Sequence, residues 1–175
     1  MKTPLTRARL LGLIAALLLA GCGPTEMHEL EIRGGLYYKK GESSPYSGPA
    51  VAYFPTRDED DDKKIYKEAF FANGKPDGTW VTYFHNGGRK EVKYAFGKIN
   101  GQVRVFDARS KVREETTYVN GRRHGGQTAF NKEGKPVENH FYKDNIRRPY
   151  LQPGERTEFK ESVKAEMEAT AMENQ

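Results

Sequence analysis

The chain has 175 residues, 30% of them charged and 11% aromatic, which is enough for one modest domain and too aromatic for a disordered polyelectrolyte. Its 29 basic and 24 acidic residues give a formal charge of +5; the first 21 residues carry Lys2, Arg7 and Arg9 and no acid, so the remainder stands at 26 against 24, or +2. So small an excess excludes nucleic acid as the main partner, and a single cysteine excludes an intrachain disulfide.

Residues 1–21 have the parts of an export leader. A basic start is followed by an apolar run from Leu10 to Leu19 and by small residues before Cys22. The run is short for a permanent membrane span, and Gly23-Pro24 breaks any helix at once. Leu19-Ala20-Gly21-Cys22 resembles the lipobox of bacterial lipoproteins. That resemblance implies cleavage before Cys22, a diacylglyceryl group on its thiol and an acyl chain on the new amine; apart from this covalent lipid no cofactor is expected. An ordinary secretory leader with a chance cysteine is the weaker alternative. Gly23 stands where Asp would signal inner-membrane retention, so the resemblance implies an outer-membrane lipid anchor facing the periplasm, with surface display left open. Residues 22–35 then read as the lipidated cysteine and a tether, which keeps the folded part near the membrane.

Residues 36–148 are repetitive. Turn glycines fall at Gly41, Gly74, Gly97 and Gly121, with Asn145 in the next place, and the last three steps are 23, 24 and 24 residues. A fixed period of this size signals a repeat architecture. A second glycine follows each first one, at Gly48, Gly78, Gly101 and Gly125. Five residues beyond it comes an aromatic, Tyr53, Tyr83, Phe106 or Phe130, and three before the next turn another, Phe71, Tyr94, Tyr118 or Tyr142. Tyr38 holds that place before Gly41.

Each unit reads as two short strands. In the clearest copy these are Thr79–Phe84 and Lys90–Ala95, joined by His85-Asn86-Gly87-Gly88. Asn-Gly, the strongest short hairpin signal, occurs at 73–74, 86–87, 100–101 and 120–121. Short turns at both ends of every strand predict an antiparallel meander. Because side chains alternate, both aromatic rows are expected on one face as the core, with Glu68, Glu91, Glu115 and Asn139 on the other. Equivalent strands lie two apart, about 9–10 Å, too far for a shared-proton carboxylate pair.

The spacing Y/F-x-N-G-x-x-x-G-x-x-x-x-Y/F-x-x-x-G resembles the variant MORN repeat, a bacterial relative of the membrane-occupation-and-recognition-nexus repeat. The match is specific at Asn73 and Asn120, weaker at Phe96-Gly97 and distorted in the first copy. It implies a mainly β protein, an elongated antiparallel hairpin meander used for binding or scaffolding. Chains of this type are often labelled antitoxin components of toxin–antitoxin systems, which sits awkwardly with a lipobox. Residues 149–175 read as a linker and a carboxy-terminal helix or tail. Past Pro149 and Pro153-Gly154, Phe159, Val163, Met167 and Ala171 recur every four residues.

Few positions invite chemistry. Asp58 to Asp62 lacks the spacing of a calcium loop and reads as a solvated insertion. His28, His85, His124 and His140 share no zinc-ligand spacing, so no metal is expected. Arg122-Arg123 and Arg147-Arg148 read first as solubilising charge; alternatively they align along one edge to meet lipopolysaccharide phosphate, peptidoglycan or anionic lipid. For Trp80, the only tryptophan, two readings stand: an exposed anchor for a ligand or partner, or a ring packed under the carboxy-terminal helix. No nucleophile motif, phosphate loop or small-molecule substrate site emerges. The expectation is a non-enzymatic, lipid-anchored envelope protein that binds another protein. Binding of envelope glycan or lipid through the basic edge is the first alternative, an envelope hydrolase the second.

Overall fold

The computed structural model describes residues 23–55, 63–148 and 153–173. The leader, Cys22, the acidic run at 58–62 and Pro149 lie outside the described residues. The order is β1 (Thr25–Glu26), a 3-10 turn (Met27–Glu29), β2 (Leu30–Arg33), β3 (Leu36–Lys39), β4 (Gly48–Tyr53), β5 (Ile65–Ala72), β6 (Lys75–Tyr83), β7 (Arg89–Ala95), β8 (Lys98–Phe106), β9 (Val112–Val119), β10 (Arg122–Phe130), β11 (Pro136–Lys143), β12 (Ile146–Arg148) and α1 (Pro153–Glu173). From β4 to β12 the strands form one antiparallel meander in sequence order, and β1 lies parallel to β4 at the edge. The protein is thus mainly β with one carboxy-terminal helix.

Turn chemistry explains the meander. At one end of the sheet, both central residues of each two-residue turn have positive φ: Asn73-Gly74, Phe96-Gly97, Asn120-Gly121 and Asp144-Asn145. This is the mirror-image turn whose twist suits a hairpin. Phe96 takes the place of Asn there, and Asp77 Oδ2 accepts its backbone N–H at 3.2 Å. At the other end the turns are longer. Asp107 N–H donates to Lys111 O at 2.9 Å, Asn131 N–H to Lys135 O at 2.9 Å, and Phe84 N–H to Gly88 O at 2.9 Å.

Gly48 opens its strand, but the later second glycines, Gly78, Gly101 and Gly125, do not open strands, as expected from the sequence; they interrupt them. β6 starts four residues earlier than the predicted Thr79. Around Gly78, Gly101 and Gly125, whose φ values are 67°, 116° and 119°, three residues of the later strand face one of the earlier. Such bulges need a residue free to adopt positive φ. Asn100-Gly101 is therefore a bulge inside β8 and not a hairpin turn.

The expectation that both aromatic rows share a face is also corrected. Phe71, Tyr94, Tyr118 and Tyr142 pair with Gly48, Gly78, Gly101 and Gly125 and define a first face. Tyr53, Tyr83, Phe106 and Phe130 lie an odd step beyond those glycines, on the second face with Glu68, Glu91 and Glu115. Tyr83 Oη accordingly donates to Glu68 Oε2 at 2.9 Å.

Each face is covered at a different end. On the first face, Met27, Leu30, Tyr37 and Tyr46 pack over Ala50, Ala69 and Phe71, with Trp80 beside them. The segment read as a tether thus belongs to the fold from Thr25 onward: β2 and β3 pair as a separate two-stranded ribbon. This also accounts for the distorted first repeat, since Tyr38 meets Pro45 in an isolated bridge and not in a main-sheet hairpin. On the second face, at the far end, α1 rests on β9 and β10. Val163 is buried and Phe159 packs against Phe141 with ring centroids 6.5 Å apart.

Candidate functional site

The carboxylates of the second face are tied into cross-strand contacts. In the central file, Glu91 stands opposite Arg104, and Arg104 opposite Glu115. Arg104 Nε donates across the strand pair to Glu115 Oε2 at 2.7 Å, while Arg89 Nε donates to Glu91 Oε1 at 2.8 Å along β7 itself. Opposite charges placed across a strand pair stabilise the sheet. Burial, followed by the hydrogen bond to Glu68, pushes the Tyr83 phenol up to about 12, so it remains a donor throughout the physiological range. These groups form a ladder in which each carboxylate has a partner, and they are not arranged as an acid–base pair.

Two concavities lie on the same face. The first, about 570 Å³, is an aromatic cleft bordered by Tyr53, Phe54, Tyr66, Tyr83, Phe84 and His85. It forms because Phe54, just past the end of β4, and the β6–β7 turn lie at the same end of the sheet. Phe54 meets His85 in a tilted contact with centroids 4.1 Å apart and leans on Tyr66 at 5.5 Å. Phe84 remains 37% exposed. Aromatic rings held by one another but open to water give large contact area at small ordering cost. The second concavity, about 690 Å³, runs beneath α1 over the strands from β7 to β11.

Trp80 belongs to neither site. It sits on the first face between Phe71, at 5.2 Å, and Tyr94, at 4.9 Å, and its Nε1–H donates to Phe70 O at 3.0 Å. The ring is partly buried against the core at the amino-terminal end, and α1 lies on the opposite face, so it is not packed under the carboxy-terminal helix. The arginine pairs also divide. Arg123 and Arg147 share the first face by register with Tyr118 and Tyr142. There Arg123 lies 4.2 Å over the Tyr142 ring, and Arg147 Nη2 donates to His140 Nδ1 at 2.7 Å. Arg122 and Arg148 pair with Val119 and Phe141 and so fall on the second face. The four do not form one continuous row.

His124, weighed from the sequence only as a metal ligand, is 3% exposed and stacks on Phe159 at 5.5 Å. Its Nδ1 faces Asp144 Oδ1 at 3.4 Å and its Nε2 faces Glu166 Oε2 at 3.6 Å. Only the helix stripe hinted at this contact. Among the described residues, no group of three or more His, Cys, Asp or Glu is placed to hold a metal. Compared with family models, curated proteins and solved structures, the chain matches none.

Proposed function

We propose that this chain is a lipid-anchored, non-catalytic binding protein of a bacterial envelope, whose MORN-variant sheet captures another protein through the aromatic cleft. The observation that carries the reading is the cleft itself: mutually braced rings with an exposed Phe84 at one end of the sheet, beside the file of paired charges on the second face. Interfaces concentrate their energy in such aromatic anchors. The lipobox supports the address, with Cys22 as the lipidated residue and the periplasmic face of the outer membrane as the site of action. Immunity or antitoxin-like capture of a toxic protein is one form the function takes under this proposal.

The test is purification of the tagged full chain from detergent-solubilised envelopes. The reading expects a stoichiometric protein companion that is lost from Phe54→Ala and Phe84→Ala but kept by Lys132→Ala, a substitution in another turn at that end. A companion retained by both cleft variants contradicts it, as does none with the unaltered chain. Cys22→Ala is expected to abolish lipid labelling, and a covalently lipidated Cys22→Ala protein contradicts the anchor.

A further inference from the structure

We propose that His124 is a pH-operated clasp for the carboxy-terminal helix: as imidazolium it holds α1 against the sheet, and as neutral imidazole it loosens it. The clasp lies at the Asn120-Gly121 end of the sheet and the aromatic cleft at the other, so the two stand or fall independently.

The imidazole is buried between two carboxylates from different elements. Asp144, in the β11–β12 turn, faces Nδ1 at 3.4 Å, and Glu166, on α1, faces Nε2 at 3.6 Å. The Phe159 ring stacks on the imidazole with 19° between the planes, which holds both nitrogens toward the acids. Nε2 is fully buried and makes no hydrogen bond among the described residues.

A neutral imidazole has one N–H. Whichever nitrogen carries it, the other turns a lone pair toward a carboxylate, and little water is there to screen the repulsion. A second proton turns that repulsion into attraction and gives each acid a donor. Burial of the charge opposes this step, but Asp144 and Glu166 answer it from opposite sides while remaining about half exposed, at 49% and 50%, and so keeping much of their own hydration.

The surrounding charges leave this balance in place. On α1, the residues three and four places either side of Glu166 are Ser162, Val163, Ala169 and Thr170, none of them charged. β9 brings Thr117 and Val119 to this face. From β10 and β11, register places Arg122 and Lys143 on the same side; both are exposed, where water and salt screen them. Arg123 turns to the first face, over the Tyr142 ring.

The sign follows from Glu166 arriving with the helix. The proton is held more tightly when α1 is seated than when it is away, so this contribution is present at low pH and lost as pH rises. Loosening frees Val163, which is 5% exposed in the seated helix.

Hydrogen exchange of the α1 amides in the purified full chain, in detergent, tests the clasp, with each rate divided by that of an unstructured peptide at the same pH. Protection of α1 relative to β9 and β10 is expected to fall about tenfold from about pH 5.5 to about pH 8.5, a span that covers histidine charging, for the loss of one charge-assisted hydrogen bond. His124→Phe keeps a ring against Phe159 and is expected to remove the pH difference. Glu166→Gln, at a half-exposed helix position, puts an amide donor opposite the neutral nitrogen and is expected to shrink or reverse it. Equal protection at both pH values in the unaltered chain overturns the proposal. So do greater protection at the higher pH and a fall that persists undiminished in either variant.

Discussion

A Cβ on Gly125 would lie 3.4 Å from Cγ1 of Val163, so a repeat glycine in the sheet and the buried residue of the helix occupy adjoining space. The same glycine adopts a φ of 119° in the bulge of β10. It therefore serves both the backbone of the repeat and the seat of α1, which joins the repeated part of the chain to the part that is not repeated.

Gly125→Ala is expected to destabilise more than Gly121→Ala. Both positions have positive φ, which costs a non-glycine residue about 1–2 kcal/mol. At Gly121 a Cβ would meet nothing within 4 Å, whereas at Gly125 it would crowd Thr117 at 3.0 Å and come into contact with Val163 at 3.4 Å. Urea unfolding measures the difference, and Val163→Ala is expected to cost about 2 kcal/mol by losing buried methyl groups. Limited proteolysis of both Gly125→Ala and Val163→Ala is expected to release α1 ahead of the sheet.

Phe71 is 1% exposed and touches Tyr37, Tyr46 and Trp80 with ring centroids 4.6, 5.8 and 5.2 Å away. Phe71→Ala is expected to cost about 3–5 kcal/mol, the range for losing a buried aromatic ring. Because Trp80 is the only tryptophan, its emission reports on this layer directly. A red shift is expected in the variant under conditions where the parent is unchanged.

Tyr83 titrates late because its neutral form is buried and donates to Glu68. The unfolded phenol loses its proton near 10, the folded one near 12. Between those values the unfolded state holds fewer protons, so this contribution is complete below pH 10 and is lost as pH rises toward 12. Phenolate absorbance is expected to show one fewer late-titrating tyrosine in Tyr83→Phe, and that variant's stability is expected to fall less across this range.

Asp107 shows the opposite sign. The Lys111 backbone N–H, followed by that of Arg109 and the Arg113 guanidinium, lowers its carboxyl below the usual value. Its contribution is present above the unfolded value and is lost as pH falls through the folded one. The β10–β11 turn contains the natural comparison, since Asn131 Oδ1 accepts from Glu133 N–H at 3.1 Å and Lys135 N–H at 2.9 Å. Asp107→Asn is expected to keep the turn, lose the pairing with Arg113 and flatten this part of the acid profile in pH-dependent unfolding.

The meander was legible because its turns are written in local residues. Asn73-Gly74 and Asn120-Gly121 need no distant partner to favour positive φ, and the 24-residue spacing repeats them. The face assignment was not legible, because it depends on register: across β6 and β7 Tyr94 pairs with Gly78 and Tyr83 with Arg89, which sets the two rings on opposite faces, and that pairing emerges only when the two strands are aligned. Trp80 was misplaced for a related reason. Its neighbour Phe71 lies on another strand, and the layer that covers them comes from Met27, Leu30 and Tyr37, a stretch with no repeat signal. The helix stripe at Phe159, Val163 and Met167 was visible, but the contact of Phe159 with His124 was not. The cleft combines Phe54 and Phe84, two residues outside the repeating aromatic places, and their proximity follows from which strand ends share an edge.

A photo-reactive amino acid at position 84 of the full chain, irradiated in intact cells, tests the proposed function most directly. The account predicts a single protein adduct that is absent when the same residue replaces Lys132 and that disappears when Phe54→Ala is added. Identical adducts from positions 84 and 132, or an adduct at 84 that survives Phe54→Ala, would contradict it.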